Sequence, residues 1–211
     1  MGIAERRERE RLQRRKEIVD TAERIIFSVG LDKATMDAIA EEAELSKATL
    51  YLYFNSKIDL YFAIYLRGQQ KLFKLIDKRT RELPSPQDKI KAFLQALVYF
   101  QDKFPNYFDA FYYFLTHRLE VSKNSEDLQA SRELDDQYLA KWMELIDNGK
   151  KEGLIRKDMN APATALIIWL QLVGFLKVYS IIHPELKEKF NINRDELLEE
   201  YYNLLFKGIF R

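Results

Sequence analysis

From Lys47 to Tyr53 the chain carries one ammonium, Lys47, beside Ala48, Tyr51 and Leu52, and no acidic side chain. As a short helix this stretch presents those four residues outward, able to approach phosphates without repulsion and to meet base edges in a groove. An ordinary helical hairpin with no such role is the alternative that pattern alone leaves open. A second concentration of chemistry lies in the aromatic run from Phe93 to Phe114. Phe100, Phe104, Phe108, Phe111, Tyr112 and Phe114, with Trp142 and Trp169, are predicted to line a cavity to which His117 and Arg118 lend polarity. A mostly apolar site with a few polar groups suits a hydrophobic or aromatic small molecule, anionic ones included.

Other chemistry is poorly provided for. There is no Cys, which removes disulfides, thiolate zinc sites and cysteine nucleophiles and fits a reducing compartment. The two His, His117 and His183, are far apart, and the seven Gly form no phosphate-binding spacing. The sequence therefore predicts no enzyme, no metal and no cofactor. The charged lead from Met1 to Lys16 has no apolar run of the length a signal peptide needs, so a cytoplasmic protein is expected. Ala163 to Leu176 is nearly all apolar, but Thr164, Gln171, Gly174 and Lys177 leave it short of ~20 clean residues, and a buried helix rather than a membrane span is predicted.

These residues must be positioned by helices. In 211 residues, 47% hydrophobic, Gly and Pro together number only twelve, which predicts helices joined by short turns around a substantial core. Ile18, Ala22, Ile25, Ile26 and Val29 recur at helical spacing until Gly30 stops them. Thr35 is placed to cap a second helix and Ser46 a third, running from Lys47 to about Phe54, with Ile39, Ala43, Leu45 and Leu50 as their shared core and Ala40 at a close crossing. Ser56 opens a longer fourth helix that Pro84 breaks. Ser85, Pro105, Ser125, Asn160 and Asn193 mark further starts, Asn193 with Glu196 as a capping box, and His183 with Pro184 is predicted to close the apolar helix at Ile182.

Thr35 through Leu60, reading TMDAIAEEAELSKATLYLYFNSKIDL, resembles the DNA-binding segment of the TetR family of bacterial transcriptional regulators, whose signature is a Ser-Lys-x-Thr-Leu-Tyr-x-Tyr-Phe run followed by Ser-Lys and Leu. The resemblance implies an all-α fold. A three-helix helix-turn-helix domain over residues 1–55 (helix-turn-helix at about 35–54, basic lead at 1–16) would join a helical ligand-binding and dimerisation domain over 56–211. It further implies that Thr35 and Lys57 contact phosphates, that Lys47, Ala48 and Leu52 face base edges, and that Ser46, Thr49, Tyr51 and Tyr53 complete the DNA-binding set. Glu44 departs from the pattern, since the family usually has Gly at that turn; a positive φ there would cost Glu on the order of 1 kcal/mol.

Function follows as an expectation. A homodimeric repressor would bind a palindromic double-stranded operator and be released by a hydrophobic or aromatic effector. Its subunits would pair through wide apolar stripes on helices at about 162–182 and 194–210, with Gly174 allowing close approach. The alternative of a different class is a helical small-molecule or lipid carrier with no DNA-binding role. The net charge of +1 does not decide between them, because it is unevenly spread. Arg and Lys exceed acids by four in the lead, as an arm or a helix extension, whereas acids exceed bases by four from Asp32 to Glu44.

Overall fold

A computed structural model describes residues 2–117, 121–122 and 125–210. The basic lead is helical, not an extended arm: α1 spans Ile3–Val29, and its buried residues begin only at Ile18. Gly30, at φ 86°, ends it and returns its N–H to the Ile26 carbonyl at 2.9 Å. Two short helices follow, α2 (Met36–Glu42) and α3 (Lys47–Tyr51). The third helix thus stops earlier than Phe54, because the amides of Tyr53 and Phe54 both turn back to the Leu50 carbonyl. Then come α4 (Lys57–Thr80), α5 (Pro86–Lys103), α6 (Pro105–Thr116), α7 (Glu126–Lys151), α8 (Ala161–Phe190) and α9 (Arg194–Ile209). Among the described residues there is no strand, only one backbone bridge between Ile155 and Phe210.

The chain divides into two compact units, Met1–Gln69 with Asn106–Arg132, and Gln70–Pro105 with Glu133–Arg211. Compactness therefore cuts α4 and α7 part-way along and groups α6 with the first helices, unlike the boundary expected after residue 55. In the first unit Ile18 and Ala22 of α1, Ile39 of α2, Leu50 of α3, and Leu60 and Ile64 of α4 are fully buried. Gly68 lets α6 come close, for a Cβ there would stand 2.8 Å from the Tyr107 ring. Arg67 donates to Glu23 at 2.7 Å and pairs with Asp20 at 2.8 Å, and so fastens α4 to α1.

In the second unit Leu72, Ile90, Leu94, Phe100, Ile146, Leu172 and Leu176 are fully buried. The helix α8 does not stop at Ile182. Pro184 lies inside it. Pro184 has no N–H for the Ser180 carbonyl, and His183 Nδ1 stands 3.3 Å from that oxygen, a ring N–H taking the missing donor's part. The helix ends instead at Asn191, in the left-handed region at φ 52°. Its outer side stays apolar: Leu166, Leu170, Val178 and Ile181 are exposed, as is Leu204 of α9. By length and composition α8 could cross a membrane, and only 28% of its most apolar window is buried.

Candidate nucleic-acid interface and ligand cavity

The reader is built from caps. Thr35 Oγ1 accepts from the Ala38 amide at 3.1 Å and Ser46 Oγ from the Thr49 amide at 3.1 Å, each satisfying one donor of a helix start. Ser46 and Thr49 are also joined through their hydroxyls at 2.7 Å. Between the helices Glu44 has φ 54°, the positive value that the departure from Gly raised, so its side chain tolerates a conformation that costs on the order of 1 kcal/mol. Ala40 is buried beneath, its carbonyl accepting from the Leu45 amide at 2.9 Å.

With Leu50 and Phe54 turned inward, Lys47, Ala48, Tyr51 and Leu52 are left outward. Leu52 is 85% exposed, which no packing requirement of the chain explains. Thr49 and Tyr53 are half-buried at the edges. Lys47 Nζ pairs with Asp37 of α2 at 2.7 Å, and the hydrogen bond to that carboxylate raises the ammonium above its usual pKa. The pair is exposed on both sides, so it can be exchanged for a phosphate or a base edge at little cost.

Lys57 is turned toward the protein. Its ammonium donates to the carbonyls of Leu31 at 2.6 Å, Ala34 at 2.9 Å and Asp32 at 3.3 Å. All three N–H groups are thereby used inside the protein, and the residue closes the α1–α2 turn. Sequence reasoning missed this because the three carbonyls lie more than twenty residues away.

The aromatic run is not one lining. Phe111 and Phe114 of α6 pack on Tyr65 of α4 with ring centroids 5.2 Å apart, and Phe114 also meets Phe62 at 5.0 Å. Phe108 is core in the same unit, with Tyr112 half-buried. His117 is exposed and stacks on Tyr113 at 4.3 Å with a ring nitrogen 3.0 Å from that residue's carbonyl. Arg118 lies outside the described residues. Phe100 is fully buried in the other unit, with Phe104 beside it at 5.4 Å.

The second unit does hold a cavity, of about 280 Å³, and of the predicted residues Trp142 lines it. Phe93 stands edge-on to Trp142 at 3.8 Å, with Trp169 at 6.0 Å from Phe93. Ile76, Asp77 and Thr80 come from α4, Lys89 from α5, and Tyr138, Lys141 and Leu145 from α7. The Tyr138 hydroxyl lies 2.7 Å from Asp77 Oδ2 and 2.8 Å from the Phe73 carbonyl, its one proton shared between the two acceptors, and Lys141 pairs with Asp77 at 2.9 Å. Burial pushes Asp77 up, but the bonds from Lys141 and Tyr138 outweigh it and hold the carboxyl below its ordinary range. Burial also raises the Tyr138 phenol, which stays protonated as a donor. Lys89 is half-buried and Arg81 exposed, and the Arg81 charge adds to the lowering of the Asp77 carboxyl. The helical spacing of Trp142 and Leu145 was visible in the sequence; the arrival of Ile76, Asp77 and Lys89 from other helices had no local signal.

Residues 18–64 match the family described as bacterial regulatory proteins, tetR family. The HTH-type transcriptional activator FasR of Mycolicibacterium smegmatis is 30% identical over 88 residues, 42% of this chain and 40% of that protein. The chain thus aligns with less than half the length of that curated relative. The transcriptional regulator FadR from Bacillus subtilis, solved in complex with stearoyl-CoA, superposes with a TM-score of 0.68 at 18% identity, covering 92% of this chain and 98% of that one. The ketosteroid transcriptional regulator KstR2 of Mycobacterium tuberculosis gives 0.65 at 17% identity, covering 94% and 95%. Likeness at these identities is one of fold.

Proposed function

We infer that this chain, whose residues 18–64 match the tetR family of bacterial regulatory proteins, is a regulator of that family that binds an operator as a homodimer and answers a small-molecule effector. It is a DNA-binding regulator and not an enzyme. The observation that carries the reading is the α3 face: Lys47, Ala48, Tyr51 and Leu52 stand outward on a helix free of acids, while everything behind it is capped or buried. Leu52 suits a thymine methyl and Lys47 a guanine edge or a phosphate. Acids on α2 keep nonspecific attraction low, so selectivity rests on docking geometry. Such a protein works in the cytoplasm, where the operator is.

Two-fold pairing is supported by the exposed stripe on α8. Leu166, Leu170, Gly174 and Val178 recur at four-residue spacing, and a Cβ at Gly174 would meet nothing within 4 Å in its own chain. A second copy covers that stripe and supplies the second reader. A Leu170→Glu, Ile181→Glu protein is expected to sediment as a monomer; partition of the unaltered protein into lipid vesicles would overturn the pairing.

The effector reading rests on the cavity, where Phe93 and Trp142 face an apolar body and Lys89 and Arg81 an anionic group. Its volume of about 280 Å³ is below the ~300–1,000 Å³ of drug-sized sites, so a larger effector must spread its walls. Stearoyl-CoA, the molecule held by the Bacillus subtilis FadR, is a suitable probe. In a Trp169→Phe protein Trp142 is the remaining indole. Its emission is expected to change saturably with stearoyl-CoA, with affinity about 10-fold weaker in Lys89→Glu. Repression is the expected sign of control, but FasR is named an activator, and operator position relative to the promoter decides it.

The whole reading is tested by selecting bound sequences from random duplex DNA. A near-palindrome with half-sites about 34 Å apart is expected. Failure to enrich any sequence, with the protein folded and dimeric, would overturn it in favour of a small-molecule carrier.

A further inference from the structure

The lead of α1 has no packing duty. From Ile3 to Glu17 no residue is buried, whereas Ile18, Val19 and Ala22 behind it are core. Pairs along its own surface support the helix: Arg6 with Glu10 at 2.8 Å, Arg11 with Glu8 at 2.9 Å and Arg14 with Glu17 at 3.2 Å. The lead also precedes residues 18–64, the stretch that matches the family, so the family's reader accounts for none of it.

Its charges are not spread evenly around the helix. At 3.6 residues per turn, Arg7, Arg11, Arg14 and Arg15 fall within about 100° of arc. Glu5, Glu10 and Glu17 lie outside that arc, and Glu8, at its edge, is the partner of Arg11. The arc is turned to the reader: Arg11 and Arg15 line one depression with Leu52, Tyr53 and Asn55, just past the end of α3. The Arg15 guanidinium lies 4.8 Å from the Phe54 ring centroid and is also paired with Asp127, so this residue fixes the root of the lead. Arg11 stands 3.9 Å from Glu126, whose side chain is exposed.

We propose that Arg7, Arg11 and Arg14 form a phosphate-binding row that carries the interface past the recognition helix, onto the backbone of double-stranded DNA beside the half-site. The row's charge and its continuity with the outward Leu52 select this occupant. From Arg7 to Arg14 the helix advances about 10 Å, a length over which one DNA strand presents about three phosphates. The carboxylate partners Glu8 and Glu17 are exposed, so each guanidinium can exchange its carboxylate for a phosphate at little cost and gain by the release of counterions. A guanidinium fork matches phosphate oxygens better than a point charge does. Such contacts fix where the reader sits and carry no base information. The proposal rests on the regulator reading above.

The test uses the full chain unaltered and in two triple variants that lose equal charge from opposite sides of the lead. One is Arg7→Gln, Arg11→Gln, Arg14→Gln; the other is Arg6→Gln, Arg9→Gln, Lys16→Gln. Gln matches Arg and Lys in helix propensity and none of these positions is buried, so both variants should keep the urea midpoint of the unaltered protein. Binding to the selected operator is then followed from about 50 to 200 mM salt. The rows of a dimer meet about six phosphates, so the slope of log affinity against log salt should be shallower by about 3–5 in the first variant and by less than about 1 in the second. All three forms should select the same sequence, and a changed sequence would overturn a purely phosphate role. Equal slopes in the two variants, reduced or not, overturn the row, and so does a urea midpoint lowered in the first variant, which would reveal a packing duty. A first variant that keeps its slope but loses binding to phosphatidylserine vesicles assigns the row to an anionic membrane and likewise overturns it. Equal slopes on a selected operator leave the regulator reading standing; failure of the unaltered protein to select any operator overturns that reading and the row with it.

Discussion

The reader and the cavity wall are held together by interactions of opposite range. In the reader, each cap reaches three residues, Thr35 to Ala38 and Ser46 to Thr49. In the cavity wall, Tyr138 reaches the Phe73 carbonyl across 65 residues and Asp77 across 61. Local bonds leave the outward side chains of α3 with no structural duty, so they are free to be chosen for a partner. Long-range bonds give the cavity residues two duties at once, since Asp77 and Tyr138 both shape the wall and hold α4 to α7. Substitutions should accordingly separate function from stability in the first region and entangle them in the second.

The sharpest separation is expected at Leu52. Leu52→Glu puts a carboxylate where the groove's phosphates must come close, and operator affinity should fall about 100-fold or more, since like charges at an interface cost several kcal/mol. Because the side chain is 85% exposed, unfolding by urea should shift by no more than about 0.5 kcal/mol. A large loss of stability at Leu52 would show that the face is not free, and the contrast between the regions would fail.

Lys57 is the converse, a basic residue next to the reader with a purely internal duty. Lys57→Met keeps the stem but strips three carbonyls of their donor, and a loss of about 1–3 kcal/mol in urea unfolding is expected. Operator affinity of the folded fraction should fall far less than for Leu52→Glu. If instead affinity and its salt dependence drop while stability holds, the ammonium does reach a phosphate and the three carbonyl bonds are given up on binding.

The range of these interactions also explains which features are legible in the sequence. The caps at Thr35, Ser46, Ser85, Asn160 and Asn193 are local hydrogen bonds between residues three apart, and all five are present. Glu44 stood out because a turn conformation depends on a single residue type. The aromatic run misled for the opposite reason. A ring in a helix says only that something apolar is near, and Phe111, Phe114 and Phe100 pack on other rings or in the core. Pro184 misled because His183 offers the Ser180 carbonyl a donor, a contact that no helix-breaking rule contains.

A smaller effect is expected at the turn between the reader helices. Glu44→Gly removes the strain of a side chain at φ 54° but gives the unfolded chain more freedom, so the net gain should be about 0.5–1 kcal/mol. Operator affinity should be unchanged, since Glu44 lies outside the α3 face. A loss of affinity at constant stability would mean that the turn's conformation is itself tuned to the groove, and that the reader is less purely local than its caps suggest.

The smallest effect lies in the cavity wall, and pH reveals it. Asp77 is held below its ordinary pKa of 3.8 by Lys141 and Tyr138 despite its partial burial. A lowered carboxyl pKa binds protons less readily in the folded state than in the unfolded one. Its stabilisation is therefore present above 3.8 and disappears as the pH falls through the lower folded value. The Asp77 side chain is 43% exposed, so solvent screening limits the contribution to about 0.2–1 kcal/mol. The stability difference between the unaltered protein and Asp77→Asn, measured by urea unfolding, should be seen at pH 7 and shrink progressively as the pH is lowered below 3.8. A difference that does not change with pH would come from the amide's poorer fit to Tyr138 and Lys141, and the carboxylate's charge would then have no share in joining α4 to α7.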